Sequence, residues 1–166
     1  ETTCLDRLRN KLHFPNMIGS DETDHSLAMT SVGDSLFNTW HEHNLSLYHD
    51  QVDTIADALE HANIKYFYPG MDPNTKSKDF AKFPLSNFCI EDGILSLIDF
   101  EMANPVGFLE DKMHPKIKEM FSRYEPDNFR KFLLTGLKYP KESFEKEMWR
   151  KIPPSDSKTE IWKRMK

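Results

Sequence analysis

The sequence predicts an α+β fold, mainly helical and carrying two small β-hairpins, and three observations lead there. The stretch 51–61 places Val52, Ile55, Ala56 and Leu59 on one face, the spacing of a core-facing helix. An Asp92-Gly93 pair sits between two apolar runs, 88–90 and 94–98, the signature of a two-residue hairpin turn. The last third alternates apolar and charged residues at helical spacing with almost no strand-like pattern.

The elements follow in order. Leu5, Leu8 and Leu12 form one apolar stripe, predicting a helix over 3–12 that ends at Phe14-Pro15, because the residue before a proline is pushed out of the helical region. Met17-Ile18, a polar stretch 20–25 and the apolar run 27–29 predict a first hairpin. A short helix is expected over 35–40. Asp50 is the expected N-cap of the 51–61 helix, its carboxylate accepting from first-turn amides. Residues 64–68 are β-like, and 69–86, with three prolines, reads as a long loop of the kind that carries function. The 88–98 hairpin follows. Beyond Asn104-Pro105, helices are expected over 115–124, 128–137 and 142–149, and a last short one after Pro153-Pro154.

The 166 residues suit one compact unit with a sizeable core. A net charge of −5 argues against nucleic acid or an anionic membrane as the main partner. The lysine-rich run 138–151 is interleaved with acids and reads as a helix surface. No apolar run approaches the roughly 18–20 residues that span a bilayer. Cys4 and Cys89 lack metal-like spacing, and two cysteines indicate no disulfide framework, so a cytoplasmic setting is expected. Cys89, inside an apolar run, reads as a buried thiol. The cluster His41, His43, His49 with Asp50 has ligand chemistry but no cysteine and poor spacing, and reads as solvated surface. Trp149 and Trp162 read as packing anchors.

The chemistry concentrates at the second hairpin. Asn87 precedes its first strand and Asp99 follows its second. A hairpin brings its outer ends together, so an amide and a carboxylate are expected to share one pocket. Hard oxygens of this kind suit magnesium, which bridges to phosphate oxygens.

The run from Asn87 through Glu91-Asp92-Gly93 to Asp99-Phe100-Glu101 resembles the metal-binding hairpin of the protein-kinase-like superfamily. In that family an Asn closes the catalytic loop and an Asp opens a D-F-G or D-F-E motif. The D-F-E form is closer to small-molecule kinases, such as aminoglycoside and sugar kinases, than to ordinary protein kinases. The stretch 27–36 resembles the strand and hinge that hold adenine. The resemblance makes Met29 the gatekeeper, gives backbone groups of Thr30 and Val32 the adenine edge, and puts Cys89 in the floor. It implies a remnant N-lobe over 1–33, a helical C-lobe over 34–166, magnesium and ATP as cofactors, and transfer of the γ-phosphoryl to a hydroxyl acceptor. The likeness spans about 1–105, although only 87–101 is specific.

Three departures accompany it. The family's acceptor-orienting Asp stands five residues before the Asn, and that position is Lys82. Asp72 or Asp79 takes the role in a longer loop, Asp72 slightly favoured because it follows a β-like segment. No G-x-G-x-x-G cradle occurs among the six glycines. No segment carries the strand lysine, although Glu1 stands where its helix partner would. The missing parts all lie upstream of residue 1, so a truncated chain is expected, the alternative being a degenerate, non-catalytic scaffold. Each lost charge-assisted bond is worth about 1.5–3 kcal/mol, so losing two or three weakens nucleotide binding by roughly two to six decades.

Overall fold

The computed structural model describes residues 1–66, 85–100, 103–105, 115–122 and 126–151. The fold is mixed, with six helices and three small sheets among those residues, in agreement with the α+β expectation. The loop positions Asp72, Asp79 and Lys82, together with Glu101, Trp162 and the helix expected after Pro153-Pro154, lie outside the described residues.

Helix α1 runs Thr2–Arg7 and buries Cys4 and Leu5, with Leu8 buried just past its end. It is shorter than the leucine stripe suggested. Asn10 adopts φ +61, a left-handed conformation that asparagine tolerates, and its amide donates to Asn16 Oδ1 at 2.7 Å. The chain turns there, leaving Leu12 63 % exposed. Strands β1 (Met17–Asp21) and β2 (Ser26–Met29) form the expected first hairpin, with a bulge between Met17 and Gly19.

Strand β3 (Asp34–Ser35) leads into helix α2 (Leu36–Thr39), whose first turn is capped by the Ser35 hydroxyl accepting from the Phe37 amide. Helix α3 runs His49–His61 and buries Val52, Ile55, Ala56 and Leu59, the predicted face. Its N-cap is Tyr48, not Asp50. Asp50 lies inside the first turn, where its charge still favours the helix dipole.

Strand β4 (Ile64–Tyr66) pairs antiparallel with β7 (Ala103–Pro105). Strands β5 (Phe88–Glu91) and β6 (Ile94–Leu97) form the second hairpin, and β3 joins its other side in the order β3-β5-β6. Asp92 and Gly93 have φ +50 and +78, the conformation a primed turn requires. Gly33, at φ +91, lies against this hairpin so closely that a Cβ would fall 2.2 Å from the Ile90 carbonyl oxygen.

Helices α4 (Pro115–Ser122), α5 (Pro126–Lys138) and α6 (Pro140–Lys151) complete the order. Helix α5 packs along α3, and Arg130 ties the two: its Nη2 lies 2.5 Å from Asp57 Oδ1. Arg130 Nε lies 2.9 Å from Asp53 Oδ1 without aiming its N–H at it. One continuous core joins Leu5, Leu8, Leu59, Tyr66, Phe88, Leu97, Phe100 and Phe129. No described helix is long and apolar enough to cross a membrane.

Candidate functional site: the base of the second hairpin

The residues at the open end of the β5–β6 hairpin are connected by hydrogen bonds. Leu85–Asn87 forms a single 3-10 turn immediately before β5. Across the strands, the Ile98 amide donates to the Asn87 carbonyl at 2.9 Å, extending the ladder one step past the assigned strands. Asn87 and Asp99 therefore stand at the same end of the sheet, as the hairpin geometry predicts.

Their side chains have different surroundings. Asn87 is 6 % exposed, and its amide Nδ2 donates to the Tyr66 hydroxyl at 2.9 Å. Its Oδ1 accepts a long bond from the Ser86 hydroxyl at 3.4 Å. Asp99 is exposed and has φ +65, the left-handed region. Such a conformation costs of order 1–3 kcal/mol and persists where its neighbours enforce it. The Tyr66 hydroxyl supplies part of that enforcement, since it lies 2.6 Å from the Asp99 carbonyl and 3.4 Å from that of Ile98. Donors and acceptors thus run in one direction: Asn87 gives to Tyr66, and Tyr66 gives to the backbone at Asp99.

Tyr66 was not evident from the sequence as part of the site. It is 1 % exposed, with its ring packed edge-on to Phe100 (centroids 5.8 Å apart, 80°) and tilted against Phe129 (5.4 Å). Burial, reinforced by the nearby Asp99 and Glu1 charges, pushes its hydroxyl far above the ordinary tyrosine range. It therefore stays a donor at any ordinary pH. The local signal was its place in a β-like run, facing inward two residues after Ile64.

Two carboxylates buttress the site. Glu1 Oε1 accepts from the Phe100 amide at 3.2 Å, which holds the backbone next to Asp99. Glu147, on α6, is 6 % exposed, and its Oε2 accepts from the Ser86 amide at 3.3 Å. It holds the turn that carries Asn87. Within a run read as a solvated helix surface, Glu147 is a buried exception.

The residues expected at an adenine edge have the following surroundings. Met29 is half-buried against the core. The Thr30 amide donates to the Asn16 carbonyl at 2.9 Å, so its N–H is already engaged. The Thr30 hydroxyl also accepts from the Asn16 amide. Among the described residues no hydrogen bond engages the backbone of Val32. Cys89 is buried, and its thiol is pushed up first by burial and then by the Asp34 charge. It pairs in register with Ser35 on one side and Ser96 on the other.

Cys4 and Cys89 are both buried and free. His41, His43 and His49 do converge, lining a hollow of about 360 Å³ beside Leu137 and Lys138. Among the described residues no three His, Cys, Asp or Glu side chains are arranged to hold a metal ion. No family model, curated protein or solved structure matches the chain.

Proposed function

We propose that the chain is a kinase-like magnesium-nucleotide domain that directs the γ-phosphoryl of ATP to a hydroxyl acceptor. The observation that carries this reading is the polarised chain Asn87–Tyr66–Asp99 at the hairpin base. Nδ2 of Asn87 is committed to Tyr66, and Oδ1 takes only a long bond from the Ser86 hydroxyl at 3.4 Å. A left-handed Asp99, exposed at the same end, adds carboxylate oxygens. These hard oxygens fit magnesium, which takes few protein ligands and completes its shell with water and phosphate.

In this reading Asn87 and Asp99 hold the ion, while Tyr66 and Glu147 keep Asn87 in place. Magnesium, when bound, supplies charge neutralisation on the phosphates. Asp72 or Asp79 orients the acceptor hydroxyl. The hinge 29–33 receives adenine through the Thr30 carbonyl and Val32, with Cys89 beneath the ring. The engaged Thr30 amide leaves its carbonyl as the group for the adenine edge. A reducing cytoplasm suits the two buried free thiols.

The test is a calorimetric titration of the protein with a non-hydrolysable ATP analogue, with and without magnesium. Asp99→Ala is expected to abolish the magnesium-dependent part of the binding and leave any magnesium-independent part intact. Magnesium-dependent binding that survives in Asp99→Ala rejects the assignment. Lys82 at the base position favours a second reading, a non-catalytic pseudokinase-type scaffold. Detection of phosphoryl transfer or ATP hydrolysis would remove it.

A further inference from the structure

At the other end of the same hairpin lies a cavity of about 470 Å³, within the usual range of small-ligand sites. It is walled by residues 10–14, the end of the first hairpin and the β5–β6 tip. Two of its lining residues are polar and more than nine-tenths buried: His13 at 6 % exposure and Ser96 at 4 %. His13 lies beside β6 with φ +67, its carbonyl accepting from the Leu97 amide and its Nδ1 2.7 Å from the Leu95 carbonyl. A carbonyl only accepts, so Nδ1 carries a proton, and in the neutral ring Nε2 presents a lone pair. Neither His13 Nε2 nor the Ser96 hydroxyl has a hydrogen-bond partner among the described residues, and neither is sealed from solvent. Both atoms belong to side chains that are otherwise buried and line one cavity, so the cavity is their route to a partner.

We infer that this cavity is a binding site for a small organic cation, an ammonium or amidinium on a compact apolar body. The unmatched side chains are mostly acceptors. In the neutral ring His13 Nε2 accepts, and Glu91 and Asp92 line the same cavity. With His13 neutral, Lys11 stands against Glu91 and Asp92, so the lining carries more negative than positive charge. A cationic N–H group satisfies Nε2 and the Ser96 oxygen together and lies near the two carboxylates. Phe14, Val32 and Ile94 supply apolar wall for the body of the ligand. The cavity opens at the tip of the hairpin and the metal pair stands at its base, with Ser96 three residues, about 10 Å, from Asp99. Asp92 is five residues from Asn87 along the strand, about 16 Å at 3.3 Å per residue. Ser31 and Val32 are common to this cavity and the hinge 29–33.

The experiment titrates the whole chain with benzylamine and benzamidine, and with benzyl alcohol and benzoate as neutral and anionic counterparts. The His13 Nε2 resonance is followed by long-range proton–nitrogen NMR. The cations are expected to shift that resonance with dissociation constants of about 0.1–1 mM. Benzyl alcohol should bind roughly tenfold more weakly or worse, and benzoate not measurably. Glu91→Gln, an exposed isosteric change, and Ser96→Ala, a small buried one, should each weaken cation binding several-fold. Equal binding of benzyl alcohol, undiminished binding in both variants, or shifts that bypass His13 would each overturn the proposal. Failure here leaves the nucleotide reading untouched, because none of the altered residues belongs to it.

Discussion

Replacing Tyr66 by Phe removes one oxygen and should disturb both stability and magnesium binding. The ring keeps its packing on Phe100 and Phe129, so no appreciable cavity opens. Two groups lose their partner: the Asn87 Nδ2 donor and the Asp99 carbonyl. A buried polar group left unsatisfied costs about 1–3 kcal/mol. The Asp99 carbonyl sits beside an exposed side chain and can recruit water, so it belongs at the low end. Asn87, 6 % exposed, has less access to water. The sum is roughly 2–3 kcal/mol. At about 2–4 °C per kcal/mol for a chain of this size, the melting temperature should fall by roughly 4–12 °C. Circular dichroism melting and urea unfolding measure it. Asn87→Leu combined with Tyr66→Phe should cost less than the two single changes added, because each alone strands the other's partner. Magnesium-dependent nucleotide binding should weaken in Tyr66→Phe even at temperatures where the protein is folded, since Asn87 is then free to turn its amide. A stability change under about 0.5 kcal/mol together with unchanged magnesium dependence would refute the positioning role of Tyr66.

Three further outcomes are expected. Gly33→Ala places a methyl 2.2 Å from the Ile90 carbonyl at φ +91 and should cost more than about 3 kcal/mol. Gly93→Ala, at φ +78 with nothing within 4 Å, should cost only about 1 kcal/mol, and paired urea unfolding curves separate the two. Asp57→Asn weakens the Arg130 clamp between α3 and α5. The acid is 57 % exposed, so the loss should be about 0.5–1 kcal/mol and shrink in high salt. Burial raises the Cys4 thiol from its ordinary 9.0 to about 11, so the folded protein holds that proton over a range where the unfolded chain releases it. The resulting stability is complete below pH 9 and is lost as pH rises towards 11. The unfolding free energy of Cys4→Ala should accordingly fall less steeply across that window.

Legibility in the sequence followed the range of the interactions. Helix α3 and the β5–β6 turn were readable because their determinants lie within a dozen residues: a 3.6-residue apolar period and an Asp-Gly pair with positive φ. The common end shared by Asn87 and Asp99 followed from that turn. Their orientation did not, because it depends on Tyr66, 21 residues before Asn87 and beyond any periodic pattern. Leu12 was misassigned to a buried stripe because spacing carries no information about where a helix stops, although Asn10 was a visible candidate for a left-handed exit. Glu147 looked like one more charge on a charged helix. Its burial is decided by the amide of Ser86, 61 residues away. Asp72 and Asp79 lie outside the described residues, so the acceptor side of the site rests on sequence.

The β5–β6 hairpin also explains why the first sixteen residues matter to a site that begins at Asn87. Strand β6 is the outer strand of its sheet, and an uncovered edge exposes amides and carbonyls to pairing with another chain. Here that edge is covered by side chains and a turn instead of a strand. Gln51 accepts from the Leu95 amide at 2.8 Å and donates to the Gly93 carbonyl at 2.9 Å. His13 takes the Leu95 carbonyl and the Leu97 amide. Glu1 continues the line at Phe100. The N-terminal segment therefore holds the hairpin at its middle through His13 and at its base through Glu1, and Phe14 packs on Phe100 between them at 6.0 Å. Those contacts keep the sheet narrow, leave Ser96 and His13 Nε2 facing a cavity, and fix the backbone on which Asp99 is carried.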